Sequence, residues 1–249
     1  MTKHSLLALL SLTLATSSSF AVTLTLEGNN SVGGGLNGYG PYQTGVGGEF
    51  TFRINDSSLV SSYYSGAMNQ ASPYTSFQTF CVEGAEFISA NSTYTASYNN
   101  HSVYSNVQLT KGAALLYSAF ASGNWSSGPG YNYFGGGVAR EADAALLQVA
   151  IWHFMGGQEN HGAYDQYNKY EAWAASVFGD DAAANVAAAT GENNVYVLNL
   201  WDSNGRAAQD QLIYTTGPIP NTVPDGGVTV ILLGMSLTGL GFISRRVRR

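Results

Sequence analysis

The chain has 249 residues, with ten Lys and Arg against 16 Asp and Glu and a net charge of −6. Lys3 and four tail arginines hold half of the bases, and Asp225 is the one acid in the ends, so the middle carries fifteen acids against five bases, a net −10. That excludes the basic surface that phosphate binding needs, and nucleic acid with it. About 200 residues lie between the ends, enough for one domain with its own core.

The N-terminus, "MTKHSLLALLSLTLATSSSFA", has one lysine, an apolar segment from Leu6 to Ala15 and small residues around Ser19-Phe20-Ala21. This pattern predicts a secretory signal peptide over residues 1–21, with the exported domain running over 22–217. Val22 to Glu27 alternates and predicts a strand. "GEFTFRI" and "STYTASY" predict two more. "SFQTFCVEGAEF" predicts another, with Phe77, Thr79 and Cys81 on one face and Phe80 and Val82 on the other. Thr110 to Ala121 has helical spacing, with Thr110 as N-cap.

Glu141 to Met155 has no Gly or Pro and is apolar almost all round, which predicts a buried helix. Gln148 interrupts it. A buried amide without partners costs about 1–3 kcal/mol, so Gln148 has either a hydrogen-bond partner or a chemical task. Trp152 lies one turn along on the same face. "AYDQYNKYEAWAASVF" and "DAAANVAAA" predict further helix. "NNVYVLNLW" and "AQDQLIYTT" return to strand patterning. The order predicts an α+β domain, a β-sandwich or barrel-like set of strands with a helical block inserted over about residues 108–190. The final strands are expected to pair with strands from before residue 100.

Residues 218–249 predict a linker followed by a three-part tail. A turn at Pro224-Asp225-Gly226-Gly227 precedes an uncharged segment, Val228 to Ile243, and Arg245, Arg246, Arg248 and Arg249 follow. The segment predicts a transmembrane helix over 228–243 with a cytoplasmic basic end. Turn motif, span and basic end in this order resemble the PEP-CTERM family of sorting signals, in a variant that begins "VPDGG". The resemblance implies recognition by an exosortase, membrane anchoring before processing, and then a place at the cell surface or in an exopolysaccharide-containing matrix.

Cys81 is the single cysteine, so no internal disulfide can form. Phe80-Cys81 together with Leu147-Gln148-Val149-Ala150-Ile151-Trp152 resembles the bacterial thioester domains of surface adhesins. The position before the glutamine, commonly Thr in that family, is Leu147 here. The resemblance implies an internal Cys81–Gln148 thioester that reacts once with an amine on a target, with Trp152 shielding the bond and no turnover. Two further readings stand beside it. One is a non-catalytic structural or carbohydrate-binding protein of the matrix, its Tyr and Trp residues stacking on sugars. The other is a hydrolase with Cys81 and His153 as a nucleophile–base pair, although no cysteine-protease signature surrounds Cys81. Glu83 shares the strand face of Cys81, and such a residue is ordinarily exposed. His4, His101, His153 and His161 show no metal-ligand spacing, and neither a metal nor a cofactor is expected.

Overall fold

A computed structural model describes residues 22–27, 42–44, 47–55, 70–71, 75–134, 137–157 and 168–215. The strands are β1 (Val22–Leu26), β2 (Gln43–Thr44), β3 (Gly47–Gly48), β4 (Phe50–Ile54), β5 (Gln70–Ala71), β6 (Ser76–Thr79) and β7 (Thr93–Asn99). Four helices follow: α1 (Lys111–Ser122), α2 (Gly137–Phe154), α3 (Lys169–Phe178) and α4 (Asp181–Ala184). The strands β8 (Val195–Trp201) and β9 (Ala207–Tyr214) complete the order. The α+β expectation is met, with the helices inserted between β7 and β8. β2 and β3 form a small separate ribbon.

The main sheet has seven antiparallel strands in the order β5-β6-β4-β1-β7-β8-β9. It does not stay open. Past its end, β6 continues into a bridge with β9, Cys81 opposite Gln211. Val82 N–H donates to Asp210 O, and Leu212 N–H donates to Phe80 O, both at 3.0 Å. Strands from opposite sides of the order therefore meet, and the sheet curls toward a barrel. Among the described residues no second large sheet packs on it, which corrects the sandwich alternative.

Alternation along the strands separates two cores. Leu24, Phe52, Phe77, Tyr94, Leu198 and Ile213 fill one. Phe80, Val82, Val195, Val197 and Leu212 turn the other way and pack with the helices. There Leu116, Tyr117 and Phe120 of α1 meet Leu147, Ile151 and Phe154 of α2. Thr110 caps α1 by accepting from Ala113 N–H at 3.3 Å.

Two predicted elements are shorter than their patterns. The strand over 76–87 stops at Thr79 and persists only as the Cys81 bridge. The alanine run after Asp181 stops at Ala184, because Ala187 leaves the helix to bridge Thr110. Lys111 N–H also donates to Val186 O at 2.9 Å. A tertiary backbone pairing outweighs alanine's helix propensity there. Among the described residues no helix is long and apolar enough to cross a membrane. The predicted signal peptide (1–21) and span (228–243) lie outside the described residues.

Candidate functional site

The site lies where β4 stops pairing with β6. The last pair of that ladder is Phe50–Thr79, and two residues on, Cys81 has no partner from β4. In the bridge to β9 the flanking residues make the hydrogen bonds, so the N–H and C=O of Cys81 point away from β9. Buried backbone groups need partners. Gln148 of α2 supplies both: Cys81 N–H donates to Gln148 Oε1 at 3.2 Å, and Gln148 Nε2 donates to Cys81 O at 2.8 Å. One side-chain amide thus takes the place of a missing strand.

The same amide faces the thiol. Cys81 Sγ lies 3.2 Å from Gln148 Oε1, to which the thiol donates. With a C=O bond of about 1.23 Å, the amide carbon is no more than about 4.4 Å from the sulfur. Cys81 is 1% exposed and Gln148 is fully buried. Burial pushes the Cys81 thiol well above its ordinary value, and the neighbouring Trp152 side chain works in the opposite direction. The thiol is therefore neutral at rest and held dry.

A stripe at four-residue spacing on α2 sets this geometry: Arg140, Ala144, Gln148 and Trp152, all buried. Arg140 pairs with Glu49 through Nε–Oε1 at 2.9 Å and Nη2–Oε2 at 2.8 Å. It also donates to Gln78 Oε1 at 2.5 Å and to Tyr133 O at 2.6 Å, and it stacks on the Tyr42 ring. Tyr131 donates to Glu49. Neither Glu49 nor Arg140 stands out in the sequence. The only available signal was a lone arginine two turns ahead of Gln148 in an apolar helix.

Glu83 is 6% exposed, which corrects its expected exposure. Its Oε1 accepts from Ser105 N–H at 2.9 Å and Ser105 Oγ at 2.5 Å. Burial pushes its carboxyl up, but the hydrogen bonds from Ser105 and Ser102 outweigh this and hold it below the usual range. Glu86 stands beside it, pushed up to about 7 by burial and by the Glu83 carboxylate. His153 is not brought to Cys81; it pairs with Asp181 at 2.8 Å on the exposed side of α2. This removes the nucleophile–base pair that the hydrolase reading needs. Among the described residues no group of three or more His, Cys, Asp or Glu could hold a metal ion.

No curated protein and no solved structure matches the chain. Residues 222–247 match the VPDSG-CTERM motif, with Gly226 where the motif's name has Ser. The chain therefore carries an exosortase-type sorting signal in its C-terminal region, the mark of a secreted, surface-associated protein.

Proposed function

We propose that Cys81 and Gln148 form an internal thioester and that the exported domain uses it for covalent attachment to an amine on a surface or matrix target. The observation that carries this reading is the 3.2 Å contact of the thiol with an amide whose two ends are both held by the backbone of the same cysteine. Well-oriented intramolecular pairs reach effective molarities of about 10⁵–10⁸ M, which offsets the poor reactivity of an amide.

In the forming step Sγ attacks the amide carbon. Negative charge develops on Oε1, which already accepts from Cys81 N–H. Nε2, oriented by Cys81 O, takes the thiol proton and leaves as ammonia. Later the amine nitrogen attacks the same carbon, the C–S bond breaks, the amine's proton passes to sulfur, and an amide bond joins Gln148 to the target. The chain is consumed in one event, so it is not a turnover enzyme. The neutral, dry thiol suits this role, since a bond formed there is protected from hydrolysis.

The test is the mass of the full chain purified in detergent, with its termini mapped. The thioester lowers it by about 17 Da, the mass of ammonia, because the amide nitrogen is lost on acyl transfer. A full mass with a titratable thiol after denaturation overturns the reading.

A second reading, saccharide binding in the matrix, is favoured by one recess of about 400 Å³ lined by Phe87, Ser92, Asp202 and Ser203. Phe87 is 84% exposed there. The large aromatic cluster does not serve that reading: Trp125, Tyr133 and Tyr170 are buried in the core with the helices.

A further inference from the structure

Cys81 and Gln148 are sealed from solvent, so an attacking amine needs an entrance. A cleft reaches Trp152, whose side chain neighbours the sulfur. It measures about 440 Å³, and Glu83, Ala85, Tyr104, Trp152 and Met155 line it together with three glycines. Its walls are mostly apolar, and Glu83 is its one charged group. Trp152 forms the partition between this cleft and the thiol. Two of the glycines lie against Trp152: a Cβ at position 157 would meet its Cβ and backbone O at 3.0 Å, and one at 84 would touch the ring at 3.9 Å. An apolar slot with one carboxylate complements an alkyl chain that carries a positive head.

We propose that this cleft receives the aminoalkyl chain of the target, that Glu83 binds its ammonium head, and that Trp152 swings aside to admit the amine to Gln148. The proposal rests on the thioester reading. An ammonium must lose a proton before it can attack, and the Glu83–Glu86 pair accepts it. The neutral amine nitrogen then bonds to the Gln148 carbon as the C–S bond breaks, its second proton goes to sulfur, and the pair returns its proton to solvent. The raised value of Glu86 suits proton exchange near neutral pH. Glu83 lies outside the bond-forming pair, so the thioester can form without it.

The experiment compares the full chain with Glu83→Gln and Ala85→Trp, the second filling the cleft without changing its charge. Each is given dansyl-cadaverine, a primary amine on an alkyl chain, or hydroxylamine, which is small and uncharged at neutral pH. Both variants are expected to keep the mass deficit. Both incorporate dansyl-cadaverine at least about tenfold more slowly, the cost of one lost contact of ordinary strength; Glu83→Gln reacts with hydroxylamine at close to the unmutated rate, whereas Ala85→Trp, which obstructs the entrance itself, slows hydroxylamine as well. Cys81→Ala, which cannot form the thioester, binds dansyl-cadaverine saturably, and adding Glu83→Gln weakens that binding. Unchanged incorporation in both variants, or no saturable binding to Cys81→Ala, overturns the docking site. A full-mass parent chain whose Cys81→Ala form still binds the amine through Glu83 overturns the transfer step and leaves the cleft as an ammonium site.

Discussion

Arg140 and Gln148 stand eight residues apart on one stripe of α2, and they contact Gln78 and Cys81, three residues apart along β6 and its continuation. Eight helical residues rise about 12 Å, and three strand residues span about 10 Å. The two rows therefore run in step, and the Arg140 end fixes where the Gln148 end falls.

Removing Arg140 is expected to do more than unpair a charge. Arg140→Ala leaves Glu49, itself fully buried, without its counter-ion, and breaking a buried pair costs about 3–5 kcal/mol. Replacing both, with Glu49→Leu and Arg140→Met, is expected to restore much of the stability. Urea unfolding measures both effects. If Arg140→Ala unfolds like the parent chain, the pair does not hold α2 in place.

Cys81→Ala and Gln148→Ala are expected to differ sharply in stability. The Gln148 amide satisfies the backbone of residue 81, which Cys81→Ala keeps, so that variant loses less than about 1 kcal/mol against the unreacted chain. Gln148→Ala strands a buried N–H and a buried C=O, each costing about 1–3 kcal/mol. Equal melting temperatures for the two variants would contradict the strand-replacing role of Gln148.

Glu86 at about 7 and Asp210 at about 6 both lie above their ordinary values, chiefly through burial. For a carboxyl raised in this way, the folded chain holds protons that the unfolded chain has released. The proton-linkage slope is then negative, so stability falls as pH rises from about 4 toward about 7 and levels off above that. Glu83, held low by its serines, acts with the opposite sign only at pH values below this window. Urea midpoints across this range should show the decline, and Glu86→Gln should flatten it. A decline of equal size in Glu86→Gln would assign the effect elsewhere.

Gly112 lies in α1, where alanine would ordinarily add about 1 kcal/mol by helix propensity. A Cβ there would meet the Phe154 ring at 2.7–2.9 Å, and overpacking costs about 1–3 kcal/mol. Gly112→Ala is therefore expected to lower the melting temperature. A rise would mean that α1 and α2 separate at little cost.

Deleting residues from Pro224 onward removes nearly all of the matched sorting motif and none of the described residues. The truncated protein is expected to leave the membrane fraction while keeping the circular dichroism of the parent domain. Loss of folded signal would show that the tail contributes to the core.

Much of this architecture was legible in the chain. Val22–Leu26 and Thr93–Asn99 alternate cleanly because each has one face in a core. Thr110 announces a helix because its hydroxyl can cap one. The meeting of Cys81 with Gln148 was suggested by a resemblance; nothing in the spacing of residues 67 apart brings them together. The closure of the sheet at Cys81–Gln211 left no local mark, since a single bridge needs no propensity of its own. Glu49 and Arg140 were illegible for the same reason: a buried ion pair looks like two surface charges until the topology unites them. The alanines after Ala184 misled because propensity is a weak prior against a tertiary backbone bond.

The segment between Cys81 and Gln148, which stand 67 positions apart, includes all of β7 and α1. A covalent bond between the two ends would act as a staple on that loop. By loop-closure entropy such a crosslink stabilises the fold by about 4 kcal/mol. Spending the thioester on a target would release the staple while transferring the tether to Gln148 in α2. The protein would thus be most rigid while waiting and loosest once attached. A pull on the bound target would enter through the middle of a buried helix pinned by Arg140, and would load the helical block before it reached the strands.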